Sequence, residues 1–344
     1  MLRRSRFAAL PTLLLLLGAS ACGSSEDTPN GQGSTATSGG AGGSASSAST
    51  GSGAGGSGGG SFVPPGEALK LSIEPFDVQP GTERQVCKTI NLPTATAIDV
   101  VMMRSTMVGV SHHFNAYKVL TDQATAPVDP SDEAVHDCAP AAEQLGGDAA
   151  YIFGSAAPER VLELPAGVAF HLEAGHRIIL EQHVINTTAN VLQGGVDYEL
   201  YVEEDPEKVA HHADILWLAN WSFFIPPNGT TSDTTHCVVP YPIEVFGLTS
   251  HTHALGSHFS IEKWSESGTS HLYDSYDWQH PPYMDFAPTF ALEAGEGFEW
   301  TCTWDNPTDQ LVGPGKESTD EMCMTFAYAY PRDTLSAPPY QCNE

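Results

Sequence analysis

Apolar and polar residues alternate over short runs through most of the chain, as in Leu69-Leu71-Ile73 and Val196-Tyr198-Leu200-Val202. A period of two marks a strand with one face in a core and the other in water. Pro and Gly interrupt these runs at short intervals, and no long stretch carries the 3.6-residue period of a helix. Many short strands with such punctuation predict an all-β body of sandwich or barrel type. An internal echo adds a duplication. Phe170-His-Leu-Glu-Ala-Gly175 returns 120 positions later as Phe290-Ala-Leu-Glu-Ala-Gly295, and Asn186 and Thr188 fall opposite Asn306 and Thr308. With a boundary at Glu204-Asp205-Pro206, the body divides into two tandem β-sandwich domains, 62–204 and 205–344.

The pattern fails at the amino terminus. Arg3, Arg4 and Arg6 precede the short apolar run Leu10 to Gly18 and the small residues Ala19-Ser20-Ala21, followed by Cys22. This is the layout of an export signal, too short to span a membrane. Its ending resembles the lipobox of bacterial lipoproteins, which implies a signal peptide over 1–21, cleavage before Cys22 and lipidation of that residue. Two or more acyl chains anchor stably, and Gly23 in place of Asp points to the outer membrane, on its periplasmic or cell-surface face. Residues 23–61 are almost wholly Gly, Ser, Ala and Thr. Such a segment, with Cys22 at its head, reads as a disordered tether spanning roughly 35 Å.

Charge narrows the partners. Against 42 acidic residues stand 14 Lys and Arg, a net −28. Nucleic acid needs clustered cations and is excluded as a natural partner, as is docking on anionic lipid through a basic face. Membrane association is left to the lipid anchor, and a small molecule is the expected partner of the folded body. Apart from Cys22, six cysteines remain: Cys87, Cys138, Cys237, Cys302, Cys323 and Cys342. An even number in an exported body predicts disulfides, and the absence of a CxxC pair argues against a zinc ribbon.

Histidine and methionine carry the candidate chemistry. His251-Thr252-His253 follows a strand-like run, and residues two apart on a strand share a face, so both imidazoles can reach one metal. His112-His113 are adjacent and can converge only at a strand end or bulge. His183 lies on a predicted strand, and Met322 heads another, in Asp320-Glu-Met-Cys-Met-Thr-Phe. A thioether ligand favours Cu(I), whereas imidazole alone suits zinc equally. His211-His212 beside the acidic boundary reads as solvated, as do His136, His171, His176, His236, His258, His271 and His280.

In order, His112-His113, His183, His251-Thr-His253 and Glu321-Met322-Cys323 resemble the copper type II, ascorbate-dependent monooxygenases, which include peptidylglycine α-hydroxylating monooxygenase and dopamine β-monooxygenase. Cys87-Lys-Thr-Ile-Asn-Leu-Pro and Thr301-Cys-Thr-Trp-Asp-Asn fit as well, and the resemblance spans roughly residues 68–344. It implies two jelly-roll-like domains facing a solvent-filled cleft, with one copper each. His112, His113 and His183 would form an electron-transfer site, and His251, His253 and Met322 the site that binds O2 and hydroxylates substrate, with ascorbate or a similar reductant as co-substrate. It also implies the disulfides Cys87–Cys138, Cys302–Cys323 and Cys237–Cys342.

The sequence departs from the peptide-amidating members where they clamp a substrate carboxylate. Their Arg, Asn and Tyr correspond here to Thr249, Met324 and Phe326. The expectation is therefore a copper monooxygenase acting on a C–H bond of a small organic molecule other than peptidylglycine. A copper-binding or sequestering lipoprotein without turnover is the alternative, and a zinc hydrolase a third reading that Met322 disfavours.

Overall fold

The computed structural model describes residues 66–121, 123–139, 149–315 and 319–332. The expected signal peptide, Cys22, the tether and Cys342 lie outside the described residues. Among those described, regular structure is almost entirely strand, as the alternation predicts, and no helix is long and apolar enough to cross a membrane.

Four sheets form. The first runs β1 (Ala68–Val78), β10 (Leu192–Val202), β3 (Ile98–Met107), β8 (Val168–Leu172), β11 (His211–His212), with β7 (Glu159–Glu163) also paired to β3. The second runs β5 (His136–Asp137), β2 (Glu83–Asn91), β9 (Arg177–Ile185), β4 (His113–Val119), β6 (Ala149–Ser155). A third holds β12 (Asp214–Ala219), β19 (Met324–Tyr330), β14 (Ile243–His251) and β17 (Met284–Leu292). The fourth holds β13 (Gly229–Val238), β18 (Gly297–Asn306), β15 (Gly256–Ser265) and β16 (Gly268–Ser275).

Alternation translates directly into burial. On β10, Val196, Tyr198 and Leu200 are buried, whereas Asp197 between them is exposed. Their inward faces join Phe114, Phe153 and Leu180 of the second sheet in one core. A second core sets Leu216, Val245 and Leu248 of the third sheet against Ile261, Phe298, Trp300 and Trp304 of the fourth. Each pair of sheets thus encloses its own apolar layer.

The echo is structural. Gly175 and Gly295 both adopt positive φ, 66° and 89°, in the turns that lead from β8 into β9 and from β17 into β18. Asn186 then donates from Nδ2 to the Val78 carbonyl and accepts at Oδ1 from both the amide and hydroxyl of Thr188. Asn306 repeats the clasp with Pro226 and Thr308. The order β1-β10-β3-β8 recurs as β12-β19-β14-β17, and β2-β9-β4 as β13-β18-β15.

The halves are packed together, and residues 62–344 make one compact unit. Lys118 on β4 is buried and reaches Asp214 on β12 at 3.2 Å. The Arg160 guanidinium lies 3.5 Å from the Tyr283 ring centre, and Tyr151 packs on Phe326 with ring centres 5.1 Å apart. β11 extends past the expected boundary at Glu204, pairing in parallel with β8 through His211↔Val168 and His212↔Ala169. Two disulfides, Cys87–Cys138 and Cys302–Cys323, are formed as the family resemblance implied.

Candidate metal centres

His112, His113 and His183 converge. β4 begins at His113, which lies directly opposite His183 on β9. His112 sits one residue earlier, outside the strand, where its amide donates to the His183 carbonyl at 2.8 Å. Freed from strand alternation, its ring turns to the same side as its neighbour's. The preceding turn relies on Gly109, at φ +65°, where an added Cβ would lie 1.9 Å from the Gln193 carbonyl oxygen.

One ring nitrogen from each histidine lies within 4.8 Å of the others. Nδ1 of His112 faces Nδ1 of His113 at 3.0 Å. His183 Nε2 is 2.7 Å from Glu83 Oε1, which fixes the proton there and turns the Nδ1 lone pair inward. Nδ1 of His183 and Nε2 of His112 are buried and have no hydrogen-bond partner among the described residues. Unpartnered buried nitrogens are costly unless something accepts their lone pairs. Burial, reinforced by the neighbouring imidazoles, holds the His113 pKa well below its ordinary value and lowers that of His112. Both rings are therefore neutral ligands near pH 7.

His251 and His253 form the second group, with ring centres 5.3 Å apart. His251 closes β14 opposite Met324, two residues after Met322. His253 Nδ1 donates to the Asp320 carbonyl at 2.9 Å, leaving Nε2 for a ligand. Burial, then His253, push His251 down to about 3. A residue to which the sequence reading gave no role holds these pieces together. Glu321 is fully buried and accepts from the amides of His253, Leu255 and Met322 and from the Trp304 indole. Nothing in its local sequence separates it from the exposed acidic residues of this chain, because the burial depends on partners up to 68 residues away.

The two groups stand near one another: His251 is close enough to His113 to help depress its pKa. Trp278 and His280 from the second half approach His112, with ring centres 6.5 and 5.7 Å away, and His280 is exposed, as expected. Both donor sets fit copper. Three imidazoles suit either oxidation state, and a Met322 thioether joining the His251 and His253 imidazoles would favour Cu(I).

At the positions of the carboxylate clamp, the Thr249 hydroxyl donates to the Pro282 carbonyl. Met324 is buried under the Trp217 indole, which donates to its sulfur. Phe326 packs between Tyr151 and Trp217. No cation from these three residues awaits a carboxylate.

Residues 211–343 match the family described as copper type II ascorbate-dependent monooxygenase, C-terminal domain. No curated protein matches the chain. Among solved structures, the chain is similar to the STIV MCP, at 9% identity and TM-score 0.35 over 79% of this chain and 100% of that one. Another is the tandem CBM22-1-CBM22-2 domain of Paenibacillus barcinonensis Xyn10C, at 8% identity and TM-score 0.20 over 77% and 86%. A third is the PBSX exported protein XepA, at 7% identity and TM-score 0.19 over 70% and 89%.

Proposed function

Starting from a chain whose residues 211–343 carry the C-terminal domain of the copper type II ascorbate-dependent monooxygenases, we infer that the protein is a two-copper monooxygenase. It hydroxylates a C–H bond of a small organic substrate with O2 and an ascorbate-like reductant. The observation that carries this reading is the convergence of His112, His113 and His183 with an unpartnered, buried ring nitrogen turned inward. These three would hold the electron-transfer copper, and His251, His253 and Met322 the oxygen-binding one. When bound, copper stores single electrons from the reductant and activates O2, so that one oxygen atom enters substrate and the other leaves as water.

The protein's part is orientation and exclusion. Glu83 fixes the His183 ring, and the Asp320 carbonyl fixes that of His253. Glu321 ties the loop after β14 to the segment bearing Met322, so both ligand arms move as one piece. Burial keeps the His113 and His251 imidazoles unprotonated and available. Thr249, Met324 and Phe326 bring no cation to the positions of the clamp, which supports a neutral or cationic molecule over a carboxylate.

Copper analysis and oxygen uptake test the reading together. Two coppers per chain and ascorbate-driven O2 consumption coupled to a hydroxylated product are expected. Two coppers with no product from a panel of neutral, aromatic and cationic substrates would instead favour the second reading, a copper-binding protein without turnover. Export and outer-membrane anchoring through Cys22 belong to the same proposal. Replacing Cys22 by Ala should move the protein from the membrane fraction to the soluble one.

A further inference from the structure

Beyond the two copper groups, we propose that Asp99, His171 and His212 form a third metal site, which takes a divalent first-row ion such as zinc and pins the segment joining the two halves. The three residues come from adjacent strands of one sheet. Asp99 and His171 are direct partners across β3 and β8, and β11 brings His212 alongside β8 in parallel. Successive side chains of a strand point to opposite faces, and β11 uses both. His211 stacks on Tyr330 of β19 with ring centres 5.5 Å apart, while His212 turns to Asp99.

The donors already converge. Asp99 Oδ1 lies 2.7 Å from His171 Nδ1 and 3.1 Å from His212 Nε2, and one ligand atom from each residue falls within 4.8 Å of the others. Around a tetrahedral zinc with bonds of about 2.0–2.2 Å, ligand atoms sit roughly 3.3–3.5 Å apart. Opening the 2.7 Å contact by roughly 0.6 Å and the 3.1 Å contact by roughly 0.2 Å therefore brings the donors to ligand spacing. Glu173 Oε1 stands 3.4 Å from His171 Nε2, placed to accept the proton that moves there when Nδ1 turns its lone pair to metal. The side chains are 18%, 24% and 35% exposed for Asp99, His171 and His212, which leaves room for water in the remaining position.

The chemistry separates this site from the copper groups. A carboxylate and two imidazoles, with no sulfur, select a divalent ion over Cu(I). Its position also differs. β11 is two residues long and is held in the sheet only through β8, and it connects the last strand of the first half to the first strand of the second. An ion shared by β3, β8 and β11 would cross-link residues 99 and 212, closing a long loop at the junction.

The test is zinc uptake by the full-length, copper-loaded protein, with both metals measured in the same sample. Wild type should take up one zinc equivalent more than Asp99→Asn and His212→Gln, with copper content equal in all three. X-ray absorption at the zinc edge should show nitrogen and oxygen neighbours, including imidazole, and no sulfur. Zinc should raise the Tm of wild type and of neither variant. If Asp99→Asn proves unstable, the more exposed His212→Gln supplies the comparison. Equal zinc in wild type and variants, or zinc gained only as copper is lost, overturns the proposal. Because the readout is a zinc difference at constant copper, it is independent of whether the protein hydroxylates anything.

Discussion

Glu321 shows how one side chain can organise a site without ligating it. Four donors share its two oxygens, three of them backbone amides in the segments that carry His253 and Met322. Burial still raises its pKa despite those bonds, a sign of how strongly the site excludes water. In Glu321→Gln one acceptor oxygen becomes a donor, so at least one amide is left facing an NH2 group. A loss of about 2–4 kcal/mol is expected in urea denaturation, together with weakened copper at His251 and His253 but not at the first group. Full stability would contradict the four-donor clasp. Met322→Leu should abolish a Cu–S contribution in X-ray absorption of the reduced protein while costing less than about 1.5 kcal/mol, because the volumes are similar. An unchanged spectrum would make Met322 a packing residue only. His183→Ala should remove the first copper and spare the second, read as a drop from two coppers to one. Loss of both would point to a single merged centre.

At the scale of the element, the turn before β4 decides whether adjacent histidines can share a metal. Gly109→Ala places a Cβ against the Gln193 backbone at a φ that L-residues avoid. It is expected to displace the 108–112 segment and lower occupancy of the first site without touching a ligand, checked by copper content at unchanged occupancy of the second. The requirement that His112 and His113 meet at a strand end or bulge was legible in the sequence. The partnerships were not. Asp99 lies 72 residues before His171 and 113 before His212, and Asp99 carries no local signature. His171 and His212 therefore read as solvated until β3, β8 and β11 were seen side by side. Local pattern reports which residues alternate, whereas sheet order decides which of them meet.

Across the whole molecule, the Lys118–Asp214 pair joins the two halves through a buried ammonium. Removing one partner strands the other in a poorly solvated place, so Lys118→Ala should cost about 3–5 kcal/mol in equilibrium unfolding. Little change would mean that Arg332, 3.7 Å from Asp214, takes over as counter-ion. Breaking Cys302–Cys323 should cost roughly 3 kcal/mol by the loop-entropy argument, and it should loosen Met322, which directly precedes Cys323.

The repeated sheet order also bears on ancestry. If one sandwich was copied to make two, superposing the orders sets β9 on β18 and β4 on β15. His183 then corresponds to Thr303 and, through the paired registers, His113 to His258. The second ligand pair stems from β14, whose counterpart is β3, in the opposite layer. On that superposition the two candidate ligand groups do not fall at equivalent positions. A duplication would then have left the two halves to take up their candidate ligands independently, on different sheets.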